Sequence, residues 1–156
     1  MGRLIEQLKG NRIYLDANIW IYALENVTEY SKAMSELFEA TKNRSIAIVT
    51  SELTLAETLV RSIKEGDTAK QAAYTAAITA TNNVTATPIN RTILLAAAKI
   101  RGQTKLKLPD AIHAATAIAT NCTTFFTNDQ QFRTVSGLHT VLLSQATEEF
   151  INDDDN

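Results

Sequence analysis

LPDAIHAATAIATNCTTFFTND, residues 108–129, decides how this chain folds. An alanine-rich helix is predicted over Asp110–Asn121. Pro109 stands just ahead of it, where a missing N–H is harmless. The helix runs into a short apolar strand, Thr123–Thr127, and Asp129 follows its tip. One acid opens the helix, another closes the strand, and almost no charge lies between them.

The same grammar holds along the rest of the chain. RIYL (Arg12–Leu15) is an apolar strand ending at Asp16, followed by ANIWIYALE with Ile19, Tyr22 and Ala23 at helical spacing. Ser31–Lys42 carries Ala33, Leu37 and Phe38 on one helical face. SIAIVTS (Ser45–Ser51) is β-branched and reads as a buried strand. ELTLAETLVRSIKEG places Leu53, Ala56, Leu59, Val60 and Ile63 in an apolar stripe, and Gly66 ends that helix. Asp67 occupies the N-cap slot of a helix over Thr68–Asn82. VTATPI (Val84–Ile89) is strand-like. Arg91–Gly102 is helical, with Leu94, Leu95, Ala98 and Ile100. HTVLL (His139–Leu143) is the last strand.

Five strands alternating with helices predict an α/β fold of three layers. It has an about five-stranded, mainly parallel sheet and helices on both faces. Residues 1–150 are expected to form one domain, and residues 151–156 an acidic polar tail that frays.

Bulk properties narrow the function. The chain has 156 residues and a net charge of −2. That excludes a general electrostatic attraction to nucleic acid or acidic lipid, so a nucleic-acid partner needs a local basic patch or metal ions. No apolar run is long enough to span a membrane, and no membrane partner is expected. The start, MGRLIEQLKG, lacks the apolar core of an export signal. Cys122 is the only cysteine, so no intrachain disulfide forms. A reducing, cytoplasmic setting is expected.

In a parallel sheet, ligands bind beyond the carboxyl ends of the strands, where strand order reverses. Asp16 follows the first strand, Asp129 the fourth, and Asp110 opens the helix feeding the fourth. Glu57 lies about two turns into the helix after the second strand. Each acid has a structural explanation as well. Asp16 and Asp110 suit helix N-termini, Asp129 can cap the turn at Gln130–Phe132, and Glu57 can be a solvated helix residue. Two unit charges about 4 Å apart repel by about 4 kcal/mol at an effective dielectric of 20. Clustered carboxylates therefore call for a shared proton or a cation. Oxygen ligands point to Mg²⁺ or Mn²⁺, with substrate phosphate completing the shell. His113 and His139 stand alone, so no zinc pattern is present.

These blocks resemble a known family. IYLDANIWIYAL, SELTLAETL, LPDAIHAATAIA and FFTNDQQF are similar to the four acidic blocks of the PIN-domain nucleases, most closely the VapC-type toxins of prokaryotic toxin–antitoxin pairs. The likeness runs from about Arg12 to Leu143. The family's Asp-x-Asn matches Asp16 and Asn18. Its helical Glu matches Glu57, six residues after Ser51, although Glu52 competes for that place. Its helix-start Asp matches Asp110, and its Thr-Asn-Asp matches Thr127, Asn128 and Asp129. The resemblance implies a five-stranded parallel sheet and metal-dependent cleavage of RNA. It also implies a small antitoxin partner and a homodimer.

On that reading Asp16, Glu57, Asp110 and Asp129 are the catalytic set. Asp16 and Asp110 bind the metal most directly, Asp129 completes the pocket directly or through water, and Glu57 orients the attacking water or holds a second ion. Asn18 and Asn128 hydrogen-bond a carboxylate or phosphate, or serve as turn residues. Thr127 bonds Asp16 or a metal-bound water, or is structural. His113, on the helix face of Asp110, approaches the substrate or packs in the core. Arg91, Arg101, Lys105, Lys107 and Arg133 are candidates for holding RNA backbone. Trp20, Tyr22 and Phe38 form either an apolar patch for a partner or part of the core. Two alternatives stand beside the nuclease. One is a haloacid-dehalogenase-like phosphatase, against which Asn18 replaces that family's second Asp. The other is a non-catalytic binding module.

Overall fold

The computed structural model describes residues 8, 10–25 and 27–146. The expected tail, 151–156, lies outside them. Elements follow one another as β1 (Arg12–Leu15), α1 (Ala17–Leu24), α2 (Ser31–Lys42), β2 (Ala47–Ser51), α3 (Leu53–Lys64), α4 (Thr68–Thr79), β3 (Val84–Thr87), α5 (Arg91–Gln103), α6 (Leu108–Ala119), β4 (Thr124–Thr127), a 3₁₀ turn (Gln130–Thr134) and β5 (Thr140–Leu142). All four strand pairs are parallel, in the order β3-β2-β1-β4-β5. The expected α/β architecture is therefore present, and its sheet is wholly parallel. No described helix is long and apolar enough to cross a membrane.

Side-chain alternation explains the two apolar layers. Ile13, Leu15, Ile48 and Phe126 face one side, against Ile19, Trp20, Met34, Leu37 and Ile78 from α1, α2 and α4. Tyr14, Val49 and Phe125 face the other, against Ala114 and Ala117 of α6 with Phe132 and Leu106. The central position of β1 follows, because both its faces are fully buried. Strand order reverses between β1 and β4, which opens a crevice at their carboxyl ends.

Local signals set the boundaries. Gly66 takes φ +67° after α3, and Asp67 caps α4 by accepting from Lys70 N at 2.9 Å. Three expectations need correction. Helix α6 starts at Leu108, so Pro109 lies inside its first turn, where no intrahelical N–H bond is lost. In α3 the buried side chains are Thr54, Thr58 and Ser62, while Val60 and Ile63 of the apolar stripe are exposed. The hydroxyls can face inward because Thr58 and Ser62 bond back to carbonyls of their own helix. In α5, Ile93 and Ala97 are buried, and Leu94 and Leu95 are exposed.

The opposite end of β1 is closely packed. Gly10 has φ +71°, and a Cβ there would lie 2.6 Å from Thr123 Oγ1. That hydroxyl also donates to Arg12 O and accepts from Arg12 N, tying β1 to the start of β4. Gly10→Ala is expected to destabilise the fold by about 1–3 kcal/mol through the left-handed conformation and the clash. Urea denaturation checks this, and an unchanged midpoint would contradict the packing described.

Candidate active site

Asp16 continues the strand from Leu15 and ends it. Its backbone N–H donates to Phe126 O at 3.1 Å, so the β1–β4 ladder places it beside Thr127. The side chain is 5% exposed. Oδ1 accepts from Ala17 N at 2.8 Å, and Oδ2 accepts from the Thr127 hydroxyl at 2.7 Å. The same hydroxyl accepts from Asp129 N at 3.1 Å. Thr127 thus links two of the expected acids, as one of its sequence readings anticipated. Asp129 in turn caps the 3₁₀ turn, its Oδ1 accepting from Gln131 N at 2.9 Å. Its capping explanation and its place at the rim hold together.

Asp110 sits half-buried in the first turn of α6. Burial pushes its carboxyl above the usual range, and the charges of Asp16 and Asp129 push the same way. Asp16 is also raised, mainly by burial, against the opposing effects of His113, Thr127 and the Ala17 amide. Residues remote in sequence therefore share one electrostatic environment. Glu57 belongs to it as well, because its charge bears on both Asp16 and Asp110. Glu52, the competing residue, is exposed at the N-cap of α3 and makes no side-chain capping bond.

His113 is fully buried. Its Nε2 is hydrogen-bonded to Glu57 Oε1, and its Nδ1 to the Tyr14 hydroxyl at 2.6 Å. Burial works against its protonated form, but the Glu57 bond and the nearby charge of Asp16 raise its pKa overall. The core reading of His113 is therefore the one observed, with a polar partner on each nitrogen. The Tyr14 contact was missed from sequence. Its signal was parity, since Tyr14 and Asp16 lie two apart on an extended strand and so share a face.

Other candidates fall elsewhere. Asn128 is committed to the fold, its Nδ2 donating to Tyr30 Oη at 3.4 Å and its Oδ1 accepting from Ser144 N at 3.1 Å. Asn18 is exposed in the first turn of α1. Trp20 is fully buried against Phe38, ring centroids 5.6 Å apart, so it is core and not a surface patch. Tyr22 packs on Tyr30, and Phe38 lines a groove of about 380 Å³ with Leu24, Met34 and Ala77. Among the basic candidates, Arg133 is bonded to Gln145, and Arg91 and Arg101 are exposed on α5.

Lys105 and Lys107 line an open cleft of about 970 Å³ together with Asp110, Asp129 and Gln131. Leu106 is buried in the core, while Lys105 and Lys107 on either side of it are exposed. Among the described residues, no three His, Cys, Asp or Glu side chains form a ready-made metal cage. The donor set nevertheless fits a hard divalent ion. It is all oxygen, both His113 nitrogens are occupied, and Mg²⁺ commonly takes one or two carboxylates and keeps its other waters.

The fold has known relatives. VapBC2 from Rickettsia felis, solved bound to a DNA fragment from its promoter, superposes with a TM-score of 0.68 at 19% identity, over 84% of this chain and 98% of that one. A toxin–antitoxin complex from Klebsiella pneumoniae gives 0.62 at 24% identity, covering 84% and 97%. FitAcB from Neisseria gonorrhoeae gives 0.62 at 15% identity, covering 85% and 98%. These likenesses concern the fold. No curated protein matches the sequence. The sequence itself matches the PIN domain profile over residues 13–138, and the chain therefore belongs to the PIN domain family, a family of nucleases.

Proposed function

We propose that the protein is a divalent-metal-dependent endoribonuclease acting as a VapC-type toxin in the cytoplasm. What supports this reading is the shared electrostatic environment of Asp16, Asp110 and Asp129, with the Thr127 hydroxyl linking Asp16 to the Asp129 amide, next to a cleft lined by Asp110, Asp129 and two lysines. RNA as the substrate comes from the likeness of the four acidic blocks to VapC-type toxins. The phosphatase alternative is dropped, because the matched family is one of nucleases and Asn18 stands where its second Asp would be.

Asp16 and Asp110 would hold Mg²⁺ or Mn²⁺, with Asp129 completing the site directly or through water. When bound there, such an ion makes water a better nucleophile and stabilises the departing ester oxygen. The chain supplies the rest. The Thr127 hydroxyl and the Ala17 amide fix the two Asp16 oxygens, so that carboxylate does not reorganise when substrate arrives. Lys105 and Lys107 hold neighbouring phosphates as point charges, which position the strand without reading its bases. Glu57 orients the attacking water. The water oxygen adds to phosphorus, the P–O ester bond breaks with its electron pair going to the departing oxygen, and the proton given up by the water ends on that oxygen.

Partners belong to the same proposal. The structural relatives include toxin–antitoxin complexes, and the groove edged by Phe38, Leu24 and Met34 supplies an apolar seat for a small antitoxin. Exposed Val60 and Ile63 on α3 and Leu94 and Leu95 on α5 would supply apolar contacts for a homodimer.

Asp16→Asn is expected to reduce Mg²⁺- or Mn²⁺-dependent cleavage of labelled RNA by more than about 100-fold, beyond the loss of an outer hydrogen bond. Chelation should abolish cleavage as well. Cutting that survives both treatments would sink the mechanism and point to a contaminant. Tight protein binding without chemistry would favour the non-catalytic module.

Because the Asp110 carboxyl is raised on folding, its ionisation opposes the folded state. That penalty is absent below the ordinary carboxylate pKa, grows as pH climbs from there toward the raised one, and is complete above it. In metal-free buffer, Asp110→Asn should therefore raise Tm relative to the parent at pH 7, with the gain shrinking toward pH 4. A gain equal at both values would refute the electrostatic account. Sedimentation velocity should show a dimer that Leu95→Asp converts to monomer, and a monomeric parent would remove the dimer from the proposal.

A further inference from the structure

The chain from β1 to α3 through His113 has no place yet in the chemistry. Tyr14 lies in the middle of the central strand, fully buried, with its ring stacked on Phe125 at 5.0 Å and 7° between planes. That stack sets the direction of its hydroxyl. The hydroxyl meets His113 Nδ1 at 2.6 Å, with the two rings edge to face. The other nitrogen, Nε2, meets Glu57 Oε1. Whether the hydroxyl donates to a neutral ring at Nδ1 or accepts from a protonated one, Nε2 carries a proton aimed at the Glu57 carboxylate.

Glu57 has a different character from its anchor. Its side chain is 33% exposed, against 0% for His113. A glutamate so exposed on a helix ordinarily samples several rotamers. Here one oxygen is held from inside the protein. Among the described residues, the other oxygen has no hydrogen-bond partner and remains available at the acidic rim. Packing alone does not account for an imidazole at this position. The other buried residues on α6 are Ala111, Ile112, Ala114, Ala115, Thr116 and Ala117; Thr116 bonds back to its own helix, whereas each nitrogen of the His113 ring is met from another element.

We propose that His113 is a positioning residue for phosphodiester cleavage, fixing the Glu57 carboxylate at the acidic rim through a hydrogen-bond chain anchored on Tyr14. The inference rests on the nuclease reading and deepens it. Glu57 touches the reacting water. His113 acts only through Glu57, and Tyr14 only through His113.

The test is a double-mutant cycle on the full chain with labelled RNA and Mg²⁺, each variant also followed by thermal unfolding. His113→Phe should lower kcat by about 10- to 100-fold, the usual effect of losing a group that orients a ligand. KM should stay within about twofold, since no substrate contact is removed. In a Glu57→Ala background, His113→Phe should cost nothing more. Wild-type kcat in His113→Phe, or losses that multiply across the cycle, would overturn the proposal. If His113→Phe does not fold, Tyr14→Phe takes its place with the same expected non-additivity. A second readout does not depend on activity. In ¹⁵N-histidine-labelled protein, the His113 Nε2–H signal should be slow to exchange with water and should be lost in Glu57→Ala. A fast-exchanging signal indifferent to Glu57→Ala would overturn the chain itself. A parent protein that folds and shows the protected signal but cuts no RNA would refute the nuclease reading while leaving the hydrogen-bond chain intact.

Discussion

A carboxylate held out of water at the end of the central strand sets the terms for everything around it. Asp16 receives one hydrogen bond from the Ala17 amide and one from the Thr127 hydroxyl, and its pKa is still raised. Two neutral donors do not replace the hydration it has given up. Its threonine partner lies 111 residues away in sequence and is delivered by strand pairing. The register that sets Leu15 against Phe126 is also the register that sets Asp16 beside Thr127. A slip of one residue would turn every side chain over and dismantle both the core and the site.

Helix α6 adds the second acid under the same constraint. Its alanine-rich face lets it lie close to the sheet, and that approach brings Asp110 near Asp16 and Asp129. Burial first, and then the charges of Asp16 and Asp129, hold the Asp110 carboxyl above the usual range. Positive charge is supplied nearby on the loop before α6, where buried Leu106 anchors the segment carrying Lys105 and Lys107. The overall charge of −2 therefore says little about this site, because screening makes distant charges count less than neighbours.

The outer helices follow another logic. Helix α3 turns threonine and serine inward, with hydroxyls satisfied by its own carbonyls, and leaves Val60 and Ile63 outside. Helix α5 leaves Leu94 and Leu95 outside. Periodicity identified both as helices, but an apolar stripe shows only that a surface avoids water. It does not say whether the covering surface comes from the same chain.

Much of the architecture was legible because its signals are short-range. Strands of four or five apolar residues, the Gly66 stop and the Asp67 cap each depend on neighbours in sequence. The alternation of these elements implied a parallel sheet. The ordered spacing of Asp16, Glu57, Asp110 and Asp129 raised the expectation of an acidic rim. Partnership was another matter. That Asn128 serves Tyr30 and Ser144, that Trp20 is core, and that His113 joins Tyr14 to Glu57 all depend on strand order and helix docking. Residue type states which bonds a side chain is able to make. Only the packed chain, by excluding water and fixing distance, decides which of them it makes.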